Sequence, residues 1–292
     1  MRSAMTNRII DFHTHTFPDR IAGRAITALS SKSHTRAFTD GTVGGLAASM
    51  RESGVNVSVI QPVATKPEQV RKINDTAIAI NAEAERTGIY SFGGIHPDFA
   101  ECVEELDRLA EAGIRGIKIH PVYQGVPVDD ERYVKILKRA GEAGLTVMIH
   151  AGWDIGFPEN DFALPERISR ALDMAGSVRG ILAHMGGWRC WNDALRLFAG
   201  REGIYFDSAF SLGRFIPNGD GYYCNDDECR MLSDDEFVEM VKIFGSENVL
   251  FGTDSPWASQ SETVKTVMSL SLSEWEKGMI FFGNASGILG IV

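Results

Sequence analysis

The stretch "IIDFHTHTFPDR" (residues 9–20) decides how this chain is read. Two apolar residues lead into Asp11, then His13 and His15 stand one residue apart, and Pro18 closes the stretch. If residues 9–13 form a strand, side chains alternate between its faces, so His13 and His15 point the same way. Two imidazoles then share one face where a buried strand ends, an arrangement suited to gripping a single ion.

Short apolar runs of the same kind recur along the chain. They are "VNVSVIQP" (55–62), "IYSFGGIH" (89–96), "IRGIKIH" (114–120), "LTVMIHA" (145–151), "VRGILAH" (178–184), "GIYFDSA" (203–209) and "NVLFGTD" (248–254). Their near-continuous apolarity is what a parallel sheet covered on both faces requires. Amphipathic segments lie between them, at 43–54, 67–88, 99–113 and 129–144, each running into a glycine. The second of these also opens on proline, as helices prefer. Further helices read at 164–176, 190–200, 233–246, 261–278 and 284–289.

Eight strands, each followed by a helix, predict a (β/α)8 TIM barrel of the α/β class. No low-complexity linker or composition break divides the chain, so residues 1–292 are expected to form a single domain. Residues 211–233, "SLGRFIPNGDGYYCNDDECRMLS", read as a long loop insertion after the seventh strand, a lid or a decorated loop.

The composition, 44% hydrophobic and 23% charged, suits a soluble protein with a large core. A formal net charge of −10 argues against a general nucleic-acid binder, which would carry a basic stripe. The four cysteines are too few for a disulfide scaffold, and the Cys224/Cys229 pair reads as loop thiols rather than a metal site. The opening "MRSAMTNRII" lacks the apolar core of a signal peptide, and no run reaches the roughly 20 apolar residues of a membrane span. A cytoplasmic enzyme is expected, with a small-molecule substrate and no nucleic-acid or membrane partner.

Six of the seven histidines fall at or just beyond a predicted strand's C-terminal end: His13, His15, His96, His120, His150 and His184; only His34 lies elsewhere. Asp254 ends the eighth strand in the same way. Barrel active sites are assembled on that rim from the ends of different strands. Taken singly, His96 and His120, each followed by proline, read as hydrogen-bonded structural residues. Together, His13, His15, His150, His184 and Asp254 read as a metal centre, because imidazoles and carboxylates are what borderline divalent ions select.

The motifs "DFHTH", "VMIHAG", "ILAHMGG" and "FGTDSPW", with "GNASGILG" near the C-terminus, resemble the metal-dependent amidohydrolase superfamily. The likeness is to its small TIM-barrel branch, which also contains aromatic-acid decarboxylases. That resemblance implies His13, His15, His150 and Asp254 as metal ligands, with His184 polarising the substrate or moving a proton. In two-metal members His150 and His184 would both bind the second ion, bridged by a carbamylated lysine. "GIKIHP" resembles the segment that carries this lysine in dihydroorotases, with Lys118 in its place and His120 in that of an aromatic. Lys118 and His120 are therefore the substrate-binding or metal-bridging candidates, Lys118 either as a metal bridge or as a cation that meets a substrate carboxylate or an acidic neighbour. The resemblance implies one or two divalent ions, Zn2+ first and Mn2+ behind it, and a possible homodimer.

The expected reaction is metal-assisted hydrolysis of an amide, lactone or other ester. The ion acidifies a water, Asp254 takes its proton and returns it to the leaving group, and His184 stabilises the developing oxyanion. The alternative is non-oxidative decarboxylation of an aromatic or conjugated acid. Trp153, Trp188, Trp191 and Trp257 would suit a flat substrate, and Arg189 and Arg214 could meet its carboxylate.

Overall fold

The computed structural model describes residues 8–291. Nine strands occur among the described residues: β1 (Ile10–Thr14), β2 (Val57–Ile60), β3 (Ile89–Ser91), β4 (Gly93–Gly94), β5 (Gly116–Ile119), β6 (Thr146–Ile149), β7 (Gly180–Leu182), β8 (Ile204–Asp207) and β9 (Val249–Leu250). Each falls inside a predicted run, except that β1 extends one residue further, to Thr14. The run at 89–96 divides at Phe92 into β3 and β4.

One compact unit runs up to Ile60 and resumes at Ser208. Here β1 pairs in parallel with β2, Ile10 opposite Val57 and Asp11 opposite Ser58, with a register shift before Thr14 meets Ile60. The Phe12 N–H donates to the Phe251 carbonyl just past β9 at 2.8 Å. Every residue of β1 is buried, although Asp11, His13 and Thr14 are polar. Buried polar groups are costly without partners, so this strand must supply them.

A helix over Asp19–Ser33 was not expected from the sequence. Its apolar residues Ile21, Ala22, Ala25, Ile26 and Leu29 do follow helical spacing. Gly23 and the Ser-rich end disguise it, and no side chain caps its start at Pro18. The predicted helix at 261–278 is two helices, Gln260–Ser269 and Glu274–Gly278. Ser273 and Glu276 form a capping box that starts the second one afresh.

Residues 211–233 contain no helix or strand. They close on themselves through bridges at Leu212–Leu232 and Arg214–Arg230, and join the turn after the first helix through Thr35–Pro217. His34, the histidine outside the strand ends, fastens this loop. Its ring stacks on Tyr222 at 3.7 Å, and its Nδ1 lies 2.7 Å from Asp220.

The second unit is Gln61–Asp207. In it β4, β5, β6, β7 and β8 pair side by side in chain order, all parallel. The predicted helix at 67–88 is a 3-10 turn (Pro67–Gln69), a helix (Val70–Ala82) and a last turn (Ala84–Thr87), interrupted at Glu83. The helices over Cys102–Glu111, Glu131–Glu142, Pro165–Ala175 and Trp191–Phe198 lie within their predicted spans. No described helix is long and apolar enough to cross a membrane.

Candidate active site

In the first unit, β1 delivers His13 at 1% exposure, and His15 follows just past its end. The Asp254 N–H donates to the His13 carbonyl at 2.8 Å, and the His15 N–H to the Ser255 carbonyl at 2.6 Å. These bonds lock the "TDSP" turn against the end of β1. Asp254 takes a left-handed backbone (φ 68°), a conformation aspartate tolerates better than most residues. Its Oδ1 stands 3.0 Å from His15 Nε2 and 3.5 Å from His13 Nε2. The two Nε2 atoms are 3.2 Å apart.

Asp11 braces this arrangement from behind and was not singled out in the sequence. Its Oδ1 accepts from the His13 and Thr253 N–H groups, and its Oδ2 from the Thr253 hydroxyl and the Gln260 amide. Complete burial pushes its pKa up to about 7, against the lowering pull of the Thr253, Gln260 and His13 bonds. The carboxylate therefore ties the strand bearing His13 to the segment bearing Asp254.

The second unit carries the remaining candidates. Lys118, in the middle of β5, is 1% exposed and sits opposite Gly94 and Met148 in the register. His120 follows β5 directly, and its Nδ1 accepts from the Tyr123 N–H at 3.4 Å, capping a short turn. Its ring lies between those of Tyr123 and His150, 4.0 Å from each. His150 follows β6 directly, and its Nδ1 stands 3.2 Å from His184 Nε2. His184 lies two residues past β7 with a left-handed backbone (φ 59°), and its N–H donates to Asp207 Oδ1 at 2.9 Å.

Two further carboxylates thus belong to this constellation. Asp207 ends β8 fully buried, at a strand's C-terminal end as the histidines are. Asp154 lies four residues after His150, with its Oδ2 3.6 Å from His120 Nε2 and 3.8 Å from His150 Nε2. Gly152 makes that return possible. It has φ 91°, and a side chain there would strike the Trp188 backbone.

His96 is brought into neither group. Its Nδ1 accepts from the Asp98 N–H at 3.1 Å, and burial lowers its pKa, as befits a structural histidine. Arg214 donates to the Asp226 carbonyl at 2.6 Å, and the Arg189 guanidinium lies 4.9 Å over the Trp188 ring. The four cysteines form no disulfide.

The donor chemistry fits a divalent cation. His13, His15 and Asp254 offer two imidazole nitrogens and a carboxylate oxygen within one small volume. That is a borderline-ion donor set, and nitrogens 3.2 Å apart are spaced as neighbouring ligands of one ion would be.

The profile of the family described as Amidohydrolase matches residues 10–291. No curated protein matches. Among solved structures, a TIM-barrel protein of unassigned function from Bordetella bronchiseptica is 16% identical, with 97% of this chain and 98% of that one covered and a TM-score of 0.73. A dihydroxybenzoic acid decarboxylase from a Polaromonas species, with bound manganese and the inhibitor 2-nitroresorcinol, is 14% identical over 97% of each chain, with a TM-score of 0.66. A Pseudomonas putida protein, provisionally assigned as a 2-pyrone-4,6-dicarboxylic acid hydrolase, is 17% identical over 97% and 98%, with a TM-score of 0.64. These likenesses show the TIM-barrel fold.

Proposed function

Because the chain belongs to the amidohydrolase family, we propose that it is a metal-dependent hydrolase acting on an amide, lactone or other ester of a small molecule. The observation that carries the reading is the convergence of His13, His15 and Asp254. Within that group His13 is 1% exposed, whereas His15 and Asp254 keep 17% and 13% of their side chains open. The ligand group is anchored at one corner and reachable by water at the other two.

A divalent ion held there would supply Lewis acidity and lower the pKa of a water toward roughly 7. Asp254 would take that proton and pass it to the leaving group. His184, held through its backbone by Asp207, donates to the oxygen on which negative charge develops. By the resemblance, His150 would be a further ligand, and Lys118 would meet a substrate carboxylate or, carbamylated, a second ion. Zn2+ suits the imidazole-rich donor set, and the manganese of the Polaromonas neighbour supports Mn2+ as well.

Non-oxidative decarboxylation of an aromatic or conjugated acid is the second reading, favoured by the likeness to the dihydroxybenzoic acid decarboxylase. The test is to load the protein with Zn2+ or Mn2+ and supply lactones, amides and hydroxybenzoates. Release of an acid with its alcohol or amine, and no CO2, supports hydrolysis. Evolution of CO2 overturns it in favour of the second reading. A protein that binds neither ion overturns both.

A further inference from the structure

We infer that Asp154 is a positioning residue that sets the tautomer of His150, leaving its Nδ1 lone pair toward His184 and its proton on Nε2. The inference rests on the reading of His150 as a metal ligand. It starts from a carboxylate at 5% exposure with two imidazoles beside it. The Gly156 N–H donates to Asp154 Oδ1 at 2.8 Å, which fixes the group and turns Oδ2 to the rings. His120 Nε2 is 3.6 Å from that oxygen and His150 Nε2 3.8 Å, an electrostatic pairing just beyond hydrogen-bond length.

The same three residues could be read as a second cation site, since their donor atoms cluster closely. The backbone argues otherwise. His120 Nδ1 accepts the Tyr123 N–H, so a neutral His120 carries its proton on Nε2 and presents a donor, not a lone pair, to Asp154. His150 lies parallel to it, 4.0 Å away at 11°, with its own Nε2 beside the same oxygen. A buried carboxylate facing two ring nitrogens favours a proton on each of them. His150 is then left with Nδ1 as its lone-pair nitrogen, the atom 3.2 Å from His184 Nε2. His120 serves as the wall that holds the His150 ring in plane. Carboxylates that orient a ligand histidine in this way typically affect metal affinity 10–100-fold.

The test reads the protons directly, by two-bond 1H–15N correlation on 15N-histidine-labelled protein, as purified and after Zn2+ addition. His120 and His150 are expected as Nε2–H tautomers. A wild-type His150 carrying its proton on Nδ1 overturns the inference with no variant needed. In Asp154→Asn, chelator competition is expected to show Zn2+ affinity about 10–100-fold weaker with the Tm of the metal-free protein unchanged, and Asp154→Glu nearer wild type. Affinity unchanged within twofold overturns the inference, as does a second equivalent of Zn2+ that only this variant loses. Wild-type protein that binds no Zn2+ would sink the metalloenzyme reading instead, and the tautomer spectrum would still judge this one.

Discussion

Asp254 Oδ1 lies 3.0 Å from His15 Nε2, although the two residues come from opposite ends of the chain. A backbone bond from the Asp254 N–H to the His13 carbonyl, at 2.8 Å, holds the Asp254 main chain against the end of β1. Replacing Asp254 by asparagine keeps the volume and removes the charge. In the proposed mechanism it removes the proton acceptor, so kcat should fall by about 10²–10⁴. Metal content per chain, by inductively coupled plasma mass spectrometry, should fall with it. Full turnover in this variant would remove Asp254 from the chemistry.

Chelation should abolish turnover, and Zn2+ or Mn2+ should restore it. A ligand at 100 times its Kd stabilises the native state by about 2.7 kcal/mol, so Tm should rise by a few degrees on loading. Calorimetry with and without chelator checks this. An unchanged Tm would mean that the native fold has no tight site.

Gln124 is expected to be the structural keystone beneath His120. Its Oε1 accepts from the His120 N–H and the Tyr133 hydroxyl, and its amide donates to the carbonyls of Ala64 and Ile95. Tyr133→Phe removes one of these bonds and should cost about 1 kcal/mol. Gln124→Ala leaves several buried groups unsatisfied and should cost about 3 kcal/mol or more. Urea unfolding of the two variants gives the comparison, and equal costs would count against the network.

Asp130 caps the helix over Glu131–Glu142 through the Arg132 N–H, and its carboxylate also receives the Arg132 guanidinium. That side-chain bond is the main cause holding its pKa at about 2, below the usual 3.8. Because the folded pKa is the lower one, the stabilisation is complete above about pH 4 and is lost as pH falls toward 2. Asp130→Ala should cost about 1 kcal/mol at pH 7, toward the low end for a partly exposed cap, and almost nothing at pH 2. A cost independent of pH would assign the effect to packing.

The thiols should separate by reactivity. Burial, then the charge of Asp193, pushes Cys190 up to about 11, while Cys102 and Cys229 are buried and Cys224 is exposed. A maleimide at pH 8 should therefore modify one thiol per chain rapidly, and Cys224→Ser should abolish that phase. A fast phase that survives the substitution would place the reactive thiol elsewhere.

The sequence by itself determined the parallel α/β class, because near-continuous apolar runs such as "LTVMIHA" are satisfied by burial on both faces. The eight-strand count, with the residues at the strand ends, pointed to the barrel. The sequence also placed His13 and His15 at a strand's C-terminal end, whereas His15 itself, past the end of β1, is held by its N–H bond to the Ser255 carbonyl. The helix over Asp19–Ser33 stayed illegible, since Gly23 and a serine-rich end carry the same local signal as a turn. Only the tertiary structure decided which partners those side chains meet. Asp11, Asp154 and Asp207 look like ordinary strand-end or loop acids until folding buries them against His13, His150 and the His184 backbone. Nor does the sequence say which ring nitrogen carries a proton. That is set by the groups each nitrogen faces after folding, Tyr123 N–H and Asp154 for His120, and Asp154 and His184 for His150.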